Sequence, residues 1–172
     1  MTENQPRVSI LMGSQSDHET MKEVCAVLDK FSIPHEVRVI SAHRTPEAAR
    51  DFALSAEERG VKVIVAGAGK AAHLAGVLAS MTLLPVIGVP MKTSDLGGLD
   101  SLLSTVQMPG GVPVATVAIG NAGAKNAGLL AAAILALSDP EVREKLQACR
   151  QEMAAAVEES DREVRMPYES GS

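Results

Sequence analysis

Aromatic side chains are nearly absent. Among 172 residues there are two phenylalanines, Phe31 and Phe52, one tyrosine, Tyr168, and no tryptophan. That excludes a function resting on stacked aromatic platforms, the usual grip on single-stranded nucleic acid. Basic charge is also short. Lys and Arg number 16 against 21 Asp and Glu, a net charge of −5, which argues against a polyanionic partner. No apolar run reaches the ~20 residues of a membrane helix, and residues 1–7 are polar, unlike a secretory signal. The two cysteines, Cys25 and Cys149, have no CxxC spacing and stand among apolar residues at helical intervals. They read as buried free thiols. His, Cys, Asp and Glu nowhere cluster at metal-ligand spacing, so no metal is expected. The expected setting is cytoplasmic, with no nucleic-acid partner and no membrane.

What is present is 46 % hydrophobic and 22 % charged residues, an ordinary globular balance. A single domain of this length buries roughly 70 % of its unfolded surface, enough for a core without staples. With so few aromatics, that core must be built from Ala, Val, Leu and Ile in close layers. The chain reads as strand–loop–helix units. Apolar strands are expected at residues 8–12, 36–40, 61–65, 85–89 and 115–119. After the first, Met21, Val24, Cys25, Leu28 and Phe31 mark one face of a helix, with Ser16 and Glu19 at capping-box spacing. Thr45 and Pro46 open a second helix, which Gly60 closes. A third, alanine-rich helix follows Gly67-Ala68-Gly69 and runs through Met81, placing His73 one turn inside it. A short helix is expected at 102–106 and a nearly uncharged one at 124–137, too apolar all round to face water. The last helix starts at the capping box Ser138-Asp139-Pro140-Glu141, and its narrow stripe of Val142, Leu146, Cys149, Met153 and Val157 suits docking along a neighbour. Alternating strands and helices imply a parallel α/β sheet covered on both faces, a three-layer doubly wound sandwich. The organisation is one domain: a polar segment 1–7, a core 8–137, a helix 138–165 and a tail 166–172.

In such a sheet the loops after the strands converge on one edge. Those loops hold Ser14, Ser16 and Asp17, then Ser41, His43 and Arg44, then the glycine-rich segment with Lys70, then Pro90 and Gly120-Asn121. The hydroxyl-rich first loop enters a helix N-terminus, which favours an anion. Ser16 there either caps its helix or lines a site, or does both. Asp17 suits a sugar hydroxyl or an amine better than a phosphate. Arg44 can hold a phosphate or carboxylate by two prongs. Histidine is the side chain matched to proton transfer near neutral pH, which points to His43. His18 and His35 read as surface or loop residues, and His73 as either lining or structural. The segment Gly67-Ala68-Gly69-Lys70-Ala71-Ala72 fits the looser dinucleotide fingerprint only weakly, because it follows the third strand and no ribose-binding acid ends the next. The residues alone therefore point to a phosphorylated small molecule handled by acid–base chemistry on His43.

Longer strings carry more. Met12-Gly13-Ser14-Gln15-Ser16-Asp17, Ser41-Ala42-His43-Arg44-Thr45-Pro46, Ala66-Gly67-Ala68-Gly69 and Asp100-Ser101-Leu102-Leu103-Ser104 closely resemble the N5-carboxyaminoimidazole ribonucleotide mutases of purine biosynthesis. So do Val106-Gln107-Met108-Pro109-Gly110-Gly111, Pro113-Val114-Ala115-Thr116 and Ala118-Ile119-Gly120, with Asn126-Ala127. The likeness runs in order over residues 8–137. It implies a flavodoxin-like five-stranded subunit of a homo-octamer, with sites at subunit contacts and neither metal nor organic cofactor. It implies a ribonucleotide substrate whose carbamate carboxylate moves from the exocyclic nitrogen to carbon 4 of the imidazole. The ribonucleotide contacts would be Ser14, Ser16, Asp17, Ser41, Arg44, Ala68, Gly69, His73 and Leu74, with His43 catalytic. Two positions depart from the family's usual pattern. Lys70 stands where a small residue is usual, and Ala75 replaces a proline. At a helix N-terminus Lys70 would oppose the macrodipole by about 0.3–1 kcal/mol; it reads as pointing to water, with an added ligand contact as the alternative. Carboxylases that add carbon dioxide directly to aminoimidazole ribonucleotide are the nearest alternative. A flavodoxin-like nucleotide-binding module without catalysis is another.

Overall fold

Val8–Met12 (β1) is buried at every position, as a strand covered on both faces must be. In the computed structural model, which describes residues 5–169, it lies inside a five-stranded parallel sheet of order β2-β1-β3-β4-β5. The other strands are His35–Val39 (β2), Val63–Ala68 (β3), Val86–Pro90 (β4) and Ala115–Thr116 (β5). The helices are His18–Lys30 (α1), Pro46–Ser55 (α2), Leu74–Ala79 (α3), Leu99–Val106 (α4), Asn121–Leu135 (α5) and Pro140–Glu169 (α6). The chain is therefore a flavodoxin-like α/β sandwich.

Strand alternation sorts the core into two layers. Val8, Ile10 and Met12 face α1 and α5, in a cluster with Val24, Leu28, Ala127 and Ala131. Leu11, Ile64 and Ala66 face α2 and α3, with Phe52, Leu74 and Leu78. The scarcity of large residues is used at close approaches. A side chain on Gly128 of α5 would meet Val27 of α1, and one on Gly88 of β4 would meet Thr105 of α4. Two polar residues of the strands are also satisfied. Buried Ser9 donates to Glu36 at 2.7 Å, and Glu36 pairs with Arg59, whose guanidinium stacks 4.7 Å from the Phe52 ring centre.

Several element boundaries differ from the sequence reading. The first two glycine-rich residues belong to the sheet: β3 starts later than expected and continues through Gly67 and Ala68, with Gly67 in register with Met12. Lys70 then takes a left-handed conformation (φ +57°), which prevents a helix from starting there. Thus α3 begins only at Leu74 and His73 occupies its N-cap, not its second turn. Lys70 lies outside that helix, so it does not oppose its dipole. The Ser16–Glu19 capping box is also absent, because Gln15–Asp17 forms a separate 3-10 turn capped by Ser14. Thr45 makes no side-chain cap; its hydroxyl closes the preceding turn on Ser41 instead. α4 starts earlier, at Leu99, and β5 is only two residues long. α5 starts at Asn121 and ends at Leu135. It does meet water, along Lys125 and Asn126.

Asp139, rather than Ser138, caps α6. Its Oδ1 accepts from the Glu141 and Val142 amides at 3.1 and 3.2 Å, while Oδ2 takes Arg7 at 2.6 Å. Arg7 also binds Pro34 O through its own amide, so the start of α6 is tied to the start of β1. The hydrogen bond from Arg7, together with those two amides, holds the Asp139 carboxyl below the usual range. A depressed carboxylate adds stability above the unfolded value of ~4 and loses it as pH falls through its folded value. Asp139→Ala is accordingly expected to cost about 1 kcal/mol at pH 7 and progressively less toward pH 3, read from urea denaturation of both proteins across that range. A difference that stays constant with pH would remove the cap from this account.

α6 is 30 residues long, about 45 Å. Only its first turns are packed, through Val142, Leu146 and Cys149. From residue 151 to 166 every position is exposed, and Tyr168 near the end is 81 % exposed. The helix continues through 166–169, where a tail is expected from sequence; residues 170–172 lie outside the described part. Cys149 is buried and Cys25 half-buried, both as free thiols. No helix among the described residues is long and apolar enough to cross a membrane.

Candidate functional site

Three strand ends build one cavity. Met12, Val39 and Gly67 are neighbours across β2, β1 and β3, so the segments that follow them leave the sheet side by side. Between them, with the segment after β4 as a fourth wall, lies a cavity of about 450 Å³. Its lining includes Ser14, Ser16, Asp17, Ser41, His43, Arg44, Ala68, Gly69, His73 and Leu74, all ten positions expected from sequence. Gly120-Asn121 stands apart, where Asn121 accepts from Thr20 of α1.

The first segment is held by its own hydroxyls. Ser14 Oγ accepts from the Ser16 amide, and Ser16 Oγ lies 3.0 Å from Ser14 Oγ and 3.3 Å from Asp17 Oδ1. Burial pushes the Asp17 carboxyl up, against the opposing pull of the Ser16 hydroxyl, the Ser14 amide and the nearby Arg44 charge. The second segment is a turn pinned on Ser41, whose carbonyl accepts from the Thr45 amide at 2.8 Å. Ser41 Oγ accepts from the Arg44 amide and from Arg44 Nε, and Arg44 Nη2 donates to Gly13 O at 2.8 Å. These bonds fix the guanidinium across the first two segments, its plane set before any ligand arrives.

His43 and His73 meet in the cavity. Nε2 of His43 is 2.9 Å from Nδ1 of His73, with the rings edge to face at 5.0 Å. One ring nitrogen donates and the other accepts, so the pair shares one proton at this contact. The N-cap position brings His73 here. A residue one turn inside a helix would stand deeper along the axis. His35 opens β2 rather than standing in a loop; it binds Ile33 O and lies away from the cavity.

Beneath the site, Gly67 has no room for a side chain: a Cβ would meet Met21 and Met91. Met91, Lys92, Thr93 and Ser94 line the fourth wall and are absent from the sequence-based set. Their signal was the strand end at Pro90, which places the following residues on the same edge. A larger groove, about 890 Å³, runs past Leu54, Met81, Leu83 and Val112 at the other end of the sheet. It brings no acid–base pair together, and Arg50 and Glu57 are its charged residues.

Comparisons with known proteins agree with one another. The family model described as AIR carboxylase matches residues 7–156. The chain is 58 % identical over 159 residues to the N5-carboxyaminoimidazole ribonucleotide mutase of Pyrococcus horikoshii, covering 92 % of this chain and 89 % of that protein. It is 58 % identical over 156 residues to the protein of the same name from Bacillus subtilis, covering 91 % and 96 %. A crystal structure of Treponema denticola PurE superposes with a TM-score of 0.84 at 29 % identity, over 93 % of this chain and 99 % of that one. With these matches spanning nearly the whole sandwich and every segment of the cavity, the chain belongs to the AIR carboxylase family.

Proposed function

We propose that this chain is an isomerase of purine biosynthesis that converts N5-carboxyaminoimidazole ribonucleotide to the 4-carboxy-5-aminoimidazole isomer, with His43 as general acid and base. The observation that carries the chemistry is the His43–His73 contact at 2.9 Å in a cavity bounded by Arg44 and the Ser14–Asp17 loop. The relatives at 58 % identity support the substrate class. Protonated His43 gives its proton to the carbamate nitrogen, and the nitrogen–carbon bond breaks to release carbon dioxide beside a neutral amine. Carbon 4, made electron-rich by that amine, attacks the trapped carbon dioxide. His43, now neutral, takes the proton from carbon 4 and the ring regains its aromaticity. Proton and carboxyl balance, so one histidine serves both steps. Confinement keeps carbon dioxide at high effective concentration until it is used.

In this reading Ser14, Ser16, Ser41 and Arg44 hold the phosphate and its sugar, while Asp17 accepts from a hydroxyl or amine. Ala68, Gly69 and the backbone at Leu74 lie against the base, and His73 orients His43. No metal or organic cofactor takes part.

The unit is a homo-oligomer, an octamer in the cytoplasm, in which the helix 138–165 packs on a neighbouring subunit. Exposed Met153, at 45 %, and Val157, at 70 %, support that packing, since they continue the buried stripe of Val142 and Cys149.

The family's description names a carboxylase, which favours one second reading: direct carboxylation of aminoimidazole ribonucleotide by dissolved carbon dioxide. Supplying the carbamate ribonucleotide in buffer stripped of bicarbonate separates the two. Rapid appearance of the 4-carboxy product is expected. A strict requirement for added carbon dioxide would establish the carboxylase instead.

A further inference from the structure

The left-handed backbone at Lys70 carries a consequence for the cavity mouth. Only Ser32 and Lys70, among the described non-glycine residues, have a positive φ, and Lys70 alone of the two borders the site. A side chain at φ +57° is disfavoured where glycine would be free of strain. The same residue makes a bond that glycine cannot: Lys70 Nζ lies 2.8 Å from Asp95 Oδ2. Asp95 sits just beyond Ser94, on the segment that forms the fourth wall. Lys70 thus spans from the wall that carries His73 to the wall that carries Lys92 and Thr93.

The two walls are also joined below the Lys70–Asp95 pair. At the base, the Met91 amide donates to Ala68 O at 2.9 Å, and a Cβ placed on Gly69 would touch Met91 and Thr93. Thr93 donates to Asp100 at 2.8 Å and accepts from the Gly98 amide, folding the 93–98 turn on itself. The Lys70 carbonyl lies 3.4 Å from Ser104 Oγ of α4, which steadies the residue from behind. The hydrogen bond to Asp95 raises the Lys70 ammonium and lowers the Asp95 carboxyl from their usual values, so both are charged near neutral pH. Both side chains are more than half exposed, so the pair adds little to global stability. What it can do is local.

We propose that Lys70 is a positioning residue: through Asp95 it clasps the 92–98 segment across the mouth of the ribonucleotide cavity. The identity of the ligand rests on the function proposed above; the clasp itself does not. Its test therefore has a ligand-free arm and a kinetic arm.

In the ligand-free arm, hydrogen exchange of the 92–98 amides is compared in the full chain, in K70G and in D95A. Both variants are expected to exchange faster there, with K70R close to wild type. Raising potassium chloride to about 0.5 M is expected to speed wild-type exchange toward the variants and to leave theirs unchanged. K70G places glycine at a positive φ, so it is expected to fold at least as well as wild type. In the kinetic arm, K70G and D95A each raise KM for the ribonucleotide by about two- to fivefold with kcat nearly unchanged, and the double variant is no worse than either. Unchanged exchange in K70G and D95A overturns the clasp. So does a KM that rises in K70G but holds or falls in D95A, since Lys70 would then touch the ligand directly. If the wild type fails to turn over the ribonucleotide, the functional reading falls while the exchange arm still decides the clasp.

Discussion

Asparagine in place of His43 is expected to leave ribonucleotide binding within about threefold while lowering the rearrangement by about 10²- to 10⁴-fold. The amide keeps hydrogen-bonding reach but can neither give a proton to the carbamate nitrogen nor take one from carbon 4. In the proposed mechanism both proton transfers run through the one ring, so both would be lost together. Binding persists because Arg44 is oriented by Ser41 and Gly13, and the Ser14–Asp17 loop by its own hydroxyls, none of them through His43. Calorimetric titration with the ribonucleotide and single-turnover product formation measure the two quantities. Turnover of H43N at the wild-type rate would move the acid–base role to another group. Binding without turnover in the unmodified protein would leave only the non-catalytic module.

Gly123→Ala is expected to be the most damaging single methyl group among the helix glycines, costing about 3 kcal/mol or more. A Cβ on Gly123 would fall on the carbonyl of Ala118, which is backbone and cannot rotate away. The first turn of α5 must then lift from the end of β5. That helix supplies Ala124, Ala127, Ala131 and Ala132 to the core, so the shift spreads into the layer shared with α1. Gly67 provides the contrast. Its obstructing atoms are the ends of the Met21 and Met91 side chains, which can repack, so Gly67→Ala should cost less. Urea midpoints for the two variants, taken at one protein concentration, rank them. A Gly123→Ala protein as stable as wild type would mean that α5 can move without penalty.

The parallel sandwich was legible because β1, β3 and β4 are largely apolar runs between loop signals, although β2 reads His-Glu-Val-Arg-Val, and because each early helix shows a face at three- and four-residue spacing. That Ser14, Ser16, Asp17, Ser41, His43 and Arg44 share one cavity was legible for a second reason, that parallel strands deliver their following loops to one edge; Ala68, Gly69, His73 and Leu74 were named as contacts only through the family resemblance. Boundaries were less legible where the deciding interaction is not periodic. The continuation of β3 through Gly67 and Ala68 depends on pairing with Met12 and Pro90, which no local pattern encodes. The delayed start of α3 depends on the backbone sign at Lys70, a residue with no intrinsic preference for it. Ser14 and Asp139 took the capping roles expected of Ser16 and Ser138 because three or four candidate oxygens stand together at each start, and spacing does not rank them. Lys92, Thr93 and Ser94 were missed as lining residues since their segment has no conspicuous motif, only its place after β4. Lys70 was read as facing water, and its side chain is indeed 71 % exposed; what no pattern showed is its partner, Asp95, 25 positions away.

The near absence of aromatics leaves one tyrosine, and it is Tyr168, exposed near the end of α6. With no tryptophan to receive its energy or mask its signal, the ultraviolet emission of this protein comes almost entirely from one ring at one tip of one helix. Its anisotropy and accessibility to a quencher report the environment of that tip, without a dye or a tag. Followed during dilution, that single optical signal distinguishes a helix end lying free from one covered by another subunit. The cavity, by contrast, is spectroscopically dark: a ligand entering beside His43 leaves the emission unaltered unless the far end of α6 responds.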